Sequence, residues 1–191
     1  MTSTDVLDII RRRRSVRRYT PDPVSDDQIK HILLAAMNAP SAMNRRPWHF
    51  LVIRDEEVRR RIAGTLRLHP YVEQAPVLVA VLAEADTPAW RLDLGAAVQN
   101  MLLQATAEGL GSVWIGAPGE TLQVEAENVL QTALGVPVDL HLFAFVALGH
   151  PAEIPPPHEY DPYFTSVRVH YDVWQGLDFD ATQPAQGAGR A

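Results

Sequence analysis

The sequence predicts an α+β domain, a mixed central sheet of about four strands flanked by helices. Three observations carry that prediction. Short apolar runs of strand length alternate with longer segments whose apolar residues recur at three and four. One run, Pro76 to Ala83, is continuously apolar between turn or polar residues, as in a central strand buried on both faces. At 191 residues, 47% hydrophobic and 21% charged, the chain has ordinary globular composition and the size of one domain.

The elements follow in order. Asp5 to about Arg13 reads as a short helix with Thr4 as its N-cap, because Val6, Ile9 and Ile10 share a face. Tyr19-Thr20-Pro21-Asp22-Pro23 is an extended connector, since two prolines fix φ. Ser25 caps a second helix whose inward stripe is Ile29, Ile32, Leu33 and Ala36, ending before Pro40. His49 to Ile53 is a strand, and Asp55 opens a polar helix to about Leu66. After the central strand, Asp93 to Glu108 is a long helix closed by Gly109 as its C-cap. Ser112 to Ile115 is a strand, Leu122 to Leu134 a helix and Leu140 to Leu148 a strand. The strands are too few and short for a doubly wound dinucleotide domain. Residues 1–180 form a single domain in this reading, 151–180 being an extended arm led by Pro155-Pro156-Pro157, and 181–191 a disordered tail.

Charge and composition exclude several classes of function. With no cysteine, disulfide scaffolds, thiolate metal sites and Cys nucleophiles are ruled out. No apolar run is long enough to span a bilayer, and Asp5 and Asp8 ahead of the arginines are the reverse of a secretory signal, so a soluble, cytoplasmic protein is expected. A net charge of −6 argues against nucleic-acid binding. That charge is unevenly spread: residues 1–100 hold 15 Lys+Arg against 12 Asp+Glu, residues 101–191 hold 2 against 11. Six arginines fall between Arg11 and Arg18, which is either an anion site or a solvated helix face.

Familiar catalytic motifs are missing. GLGSVWIG, with Gly109, Gly111 and Gly116, lacks the spacing of a dinucleotide fingerprint, and there is no phosphate loop, nucleophile elbow or H-E-x-x-H pair. No metal site is expected. Two segments remain. Arg11 to Tyr19 offers guanidinium forks and the Ser15 hydroxyl just past a helix end, suited to a phosphate ester. Ala39-Pro40-Ser41-Ala42-Met43-Asn44-Arg45-Arg46-Pro47-Trp48 joins a helix end to a strand, with Ser and Asn able to hydrogen-bond a planar heterocycle.

Together, in this order, the segments resemble the FMN-dependent nitroreductases, whose pattern is R-R-S-x-R-x-(F/Y) followed by A-P-S-x-x-N-x-Q-P-W. Here these read Arg13-Arg14-Ser15-Val16-Arg17-Arg18-Tyr19 and Ala39 to Trp48, with GLGSVWIG and a strand ending in ALGHPAE as further matches. The resemblance covers roughly residues 5 to 174 and implies a nitroreductase-like fold, a homodimer with FMN at the subunit interface, and a C-terminal arm crossing to the partner. By carry-over, Arg13, Ser15 and Arg17 hold the phosphate and ribityl chain, with Arg14 beside them. Pro40, Ser41 and Asn44 line the ring from the other subunit, and Gly116 and Ala117 offer a backbone N–H to the flavin nitrogen that accepts hydride. Arg46 replaces the usual Gln and is expected either to bring positive charge to the ring, favouring reduced FMN, or to point to solvent. His158-Glu159-Tyr160 stands where many members place Lys or Arg, and Arg168 is the possible substitute further along.

The resemblance implies an NAD(P)H-dependent reduction of nitroaromatic, quinone or similar electron-poor acceptors by a ping-pong hydride transfer, with NADH and NADPH both open and no side chain named as catalytic acid or base. Trp90 and Tyr71 are expected to stack on an aromatic acceptor or else to be ordinary surface or interface aromatics. Alternatives are a same-fold enzyme with another chemistry (dehalogenase, dehydrogenase or flavin-destroying enzyme) and a flavin-storage protein without turnover.

Overall fold

A computed structural model describes residues 3–65, 71–84, 88–116, 120–159, 170 and 172. Helix α1 (Ser3–Arg12) begins ahead of the expected Thr4 cap, and α2 (Asp26–Met37) opens on the expected Ser25. A capping box closes that end: the Gln28 N–H donates to Ser25 Oγ at 3.2 Å and the Ser25 N–H donates to Gln28 Oε1 at 3.1 Å. A 3₁₀ turn (Ala42–Asn44) precedes β1 (Trp48–Ile53), then come α3 (Glu56–Thr65), the one-turn α4 (Tyr71–Gln74) and β2 (Val77–Glu84). Helix α5 (Trp90–Ala107), β3 (Gly111–Gly116), α6 (Glu120–Leu134) and β4 (Leu140–Gly149) complete the order.

Strands pair in the order β1-β2-β4-β3, with every neighbouring pair antiparallel. The expected mixed character reduces to one parallel bridge, Ser15 with Ser112, because the chain after α1 lies along the free edge of β3. Helices cover both faces, so β2 is buried along its length except at Glu84. Val77, Val79, Val81 and Ala83 face a core shared with α2 and α5, while Leu78, Ala80 and Leu82 face a second core with α3 and α6. Strict alternation between two apolar layers is why this strand reads as a continuous hydrophobic run.

Helix α5 starts at Trp90, three residues before Asp93, where periodicity alone would begin it. Its Ala89 cap supplies no side-chain hydrogen bond, and Trp90 is instead anchored by burial. At the far end Gly109 takes φ +75°, and the Gly109 and Leu110 N–H groups donate to the Thr106 and Ala105 carbonyls at 3.2 and 2.8 Å. That is a Schellman closure, which glycine satisfies without strain.

Residues Met1–His158 form one compact unit and Glu159–Ala191 a second. Of the expected arm, the described residues are 151–159, 170 and 172; Tyr160, Arg168 and the 181–191 tail lie outside them.

Candidate functional site

The arginine segment is built on the edge of the sheet. Past α1 the chain becomes extended: the Val16 N–H donates to the Ser112 carbonyl at 2.9 Å, forming the bridge between Ser15 and Ser112. Val16 turns inward and is buried against Gly111, whereas Ser15 and Arg17 face solvent, the alternation of an added strand. Tyr19 pairs with Pro151, and its hydroxyl donates to the Val16 carbonyl at 2.7 Å. The Ala152 N–H donates to Arg18 O at 3.0 Å, so the exit of β4 clamps the same stretch.

The chain returns over α1 at Pro155–His158. The His158 N–H donates to Arg11 O at 2.9 Å, Arg11 Nε donates to His158 O at 3.3 Å, and Arg14 donates to the Pro156 carbonyl. Partial desolvation, then the Arg14 and Arg13 guanidiniums, push the His158 imidazole below its ordinary pKa. The Arg13 guanidinium makes no hydrogen bond or ion pair among the described residues. A cavity of about 150 Å³ lies beside this segment, walled by Arg14, Val16, Gly111 and Ile154.

The second segment is a strained turn. Met43, Asn44 and Arg46 all take left-handed φ, 53°, 56° and 53°. For Met43 and Arg46 this costs roughly 1–2 kcal/mol each, whereas asparagine adopts it more readily, so other contacts must hold the turn. Asn44 N–H donates to Ser41 O at 2.9 Å, and Arg46 N–H donates to Ser41 Oγ at 3.0 Å. Arg46 Nε donates to Asn44 Oδ1 at 2.9 Å, which leaves the Asn44 amide NH₂ and the Ser41 hydroxyl proton as donors. Arg46 is thus tied to Asn44 while remaining exposed. Pro40 is exposed at the entrance to the turn.

Sequence reasoning missed the support beneath it. The Ala42 N–H donates to Asp93 Oδ1 at 3.0 Å, while Asp93 is only 7% exposed and its Oδ2 has no hydrogen-bond partner among the described residues. The signal was present, since Asp93 sits on the same helix stripe as Ala97, Met101 and Ala105, a charge at an apolar position.

Gly116 ends β3, exposed, and apart from its chain neighbours no atom of the described residues lies within 4 Å of where a Cβ would stand. Ser112 and Gly116 lie on one strand, on the order of 13 Å apart at ~3.3 Å per residue. One end of β3 thus meets the arginine segment and the other opens to space. Ala117 lies outside the described residues. The stacking expected of Trp90 is corrected. Trp90 is 4% exposed, edge-on to Phe143 with centroids 6.2 Å apart and covered by the Arg91 guanidinium at 4.1 Å, so its faces are already occupied. The Tyr71 side chain is outside the described residues. Among the described residues no group of three or more His, Asp or Glu is placed to hold a metal, and no helix is long and apolar enough to cross a membrane.

Comparison with known proteins matches the nitroreductase family model over residues 10–68 and 63–150. A candidate NADH dehydrogenase/NAD(P)H nitroreductase of Archaeoglobus fulgidus is 36% identical over 176 residues, covering 89% of this chain and 99% of its own. The crystal structure of a candidate nitroreductase from Desulfovibrio desulfuricans in complex with FMN aligns with a TM-score of 0.76 at 36% identity, covering 89% and 99% of the two chains. The iodotyrosine deiodinase of Thermotoga neapolitana is 28% identical over 176 residues, 79% of this chain and 91% of its own.

Proposed function

This chain belongs to the nitroreductase family, and from that premise we propose that it is an FMN-dependent oxidoreductase reducing nitroaromatic, quinone or similar electron-poor acceptors with NAD(P)H. The observation that carries the reading is the Ser15–Ser112 bridge, which docks the arginine segment on the strand whose far end is Gly116. One strand then links an anion-binding end to an open end.

The residues present fit FMN. The Arg13 guanidinium makes no hydrogen bond or ion pair among the described residues, Ser15 is exposed, and Arg13 and Arg14 together bring the positive charge a phosphate needs. Arg13, Arg14, Ser15 and Arg17 would hold the phosphate and ribityl chain. Pro40, Ser41, Asn44 and Arg46 of a second copy would line the ring, with Ser41 and Asn44 presenting hydrogen-bond donors. Gly116 and Ala117 would offer backbone N–H at the reacting edge. When bound, FMN supplies hydride transfer, from reduced nicotinamide to acceptor in a ping-pong cycle. The chain's own contribution is binding and orientation.

A homodimer is part of the reading. Val6 and Ile10 on α1 and Leu34 and Met37 on α2 are all more than 40% exposed, beside a groove of about 310 Å³ lined by Ile9, Ala35 and Leu103. Such an apolar face fits burial against a second copy. The cysteine-free chain supports a cytoplasmic setting.

Kinship with a deiodinase favours a second reading, reductive dehalogenation on the same scaffold. The deciding experiment is an absorption spectrum of the purified protein, followed by identification of the flavin released on heating and turnover assays with nitroaromatic, quinone and halotyrosine. Stoichiometric FMN and NAD(P)H oxidation by the first two supports the proposal. Halide release alone favours the second reading, bound FMN without turnover a storage role, and failure to take up FMN removes them all.

A further inference from the structure

We propose that Asp93 is a positioning residue for flavin binding, holding the Ser41–Arg46 turn in its left-handed conformation from beneath. This inference rests on the reading of that turn as part of the FMN site.

Buried carboxylates are costly unless their oxygens are satisfied, yet among the described residues Asp93, 7% exposed, has a hydrogen-bond partner at one oxygen only. An acidic residue in the first turn of a helix ordinarily serves its own helix by interacting with the backbone N–H groups there. Asp93 does something else. Its described hydrogen bond leaves α5 and reaches Ala42, 51 positions earlier in the chain. The bonds Asn44 to Ser41 O, Arg46 to Ser41 Oγ and Arg46 Nε to Asn44 Oδ1 are internal to the turn, so they shape it. The Ala42–Asp93 bond attaches it to α5.

The turn needs that attachment. Three of its residues, none of them glycine, occupy left-handed φ, a conformation that an unsupported loop abandons. Ser41 stands just before the left-handed stretch and Asn44 within it, and both are assigned to the ring. Asp93 therefore acts through the turn, setting where the Ser41 hydroxyl and the Asn44 amide stand before a ligand arrives.

Two variants break the bond from opposite sides. Asp93→Ala removes the acceptor. Ala42→Pro removes the donor and sets the proline Cδ where the N–H pointed, so the Asp93 carboxylate must shift as well; the backbone suits it, since Ala42 is the first residue of the 3₁₀ turn and Ser41 before it is extended at φ −140°, ψ 149°. Asp93→Asn keeps an oxygen that can accept from Ala42. FMN dissociation constants by fluorescence quenching, visible circular dichroism of the bound flavin and far-ultraviolet circular dichroism are read for all three. Asp93→Ala and Ala42→Pro should each weaken FMN binding about tenfold or more and alter the visible dichroism, with helix content intact. Asp93→Asn should recover most of the affinity. A purely structural role for Asp93 would lower the melting temperature while leaving the affinity of the folded protein unchanged. Wild-type affinity in both folded variants overturns the inference and leaves the FMN reading standing, whereas a wild-type chain that takes up no FMN overturns both. Should Asp93→Ala not fold, Ala42→Pro decides alone.

Discussion

Val16 packs so closely on Gly111 that a Cβ added at Gly111 would lie 2.6 Å from Val16 Cγ1 and 2.8 Å from its Cβ. Val16 is β-branched and fixed by its hydrogen bond to Ser112, so it cannot give way cheaply. Glycine at 111 is what lets the arginine segment lie against β3. Gly111→Ala should therefore cost about 1–3 kcal/mol in unfolding free energy, as overpacking does. It should also lower FMN occupancy through displacement of Ser15. Thermal or urea unfolding and a flavin titration check both effects, and an alanine variant that matches wild type in each would remove this account of the edge.

Arg13 makes no hydrogen bond or ion pair in the described fold, which separates binding from stability. Arg13→Ala should weaken FMN by about 1.5–3 kcal/mol, the loss of a charge-assisted bond, while melting with wild type. Arg17→Ala should lose a similar amount of affinity. Unchanged affinity in either variant removes that residue from the phosphate site.

The depressed His158 imidazole has a definite sign. As pH falls through the ordinary imidazole value, the unfolded chain binds a proton before the folded one does. The stability His158 contributes is thus fully present above that value and is lost as pH drops toward the lowered folded pKa. His158→Gln should flatten this part of the stability profile at mildly acidic pH. Phosphate-ester binding beside Arg13 and Arg14 should raise the imidazole pKa again. NMR titration of His158 with and without FMN tests this, and a pKa indifferent to the ligand would place the phosphate elsewhere.

Arg46 is tethered to Asn44 through Nε, which keeps its charge at the turn. Replacing it with Gln should make the midpoint potential of bound FMN more negative, since a nearby cation favours the reduced form. Potentiometric titration showing no shift would mean that the charge is spent in solvent.

Leu34 is 46% exposed on the apolar face of α2. An exposed site tolerates Leu34→Glu within about 0.5 kcal/mol for the isolated fold, but not in a buried interface. The variant should elute as a monomer and lose FMN, because half of each proposed site comes from the second copy. A dimer that retains FMN would place the interface on another face.

Much of this molecule was legible residue by residue. The Ser25 cap, the Gly109 closure and the doubly buried β2 all follow from neighbours a few positions apart, where side-chain chemistry acts on its own backbone. Asp93 was legible only as an anomaly, one charge on an apolar stripe, because its partner Ala42 is 51 residues away. The left-handed run at Met43, Asn44 and Arg46 carried no glycine to announce it.

The amino-acid order alone determined the α+β alternation, the Ser25 and Gly109 helix ends and the two motif segments, because periodicity, capping and residue chemistry are local properties. Only the tertiary structure decided that β4 enters between β2 and β3, that Ser15 docks on Ser112, and that Asp93 supports the turn at Ala42. Those are pairings between distant parts of the chain. They are selected by which apolar faces can be buried together, and a backbone strained at three residues persists only where such contacts hold it.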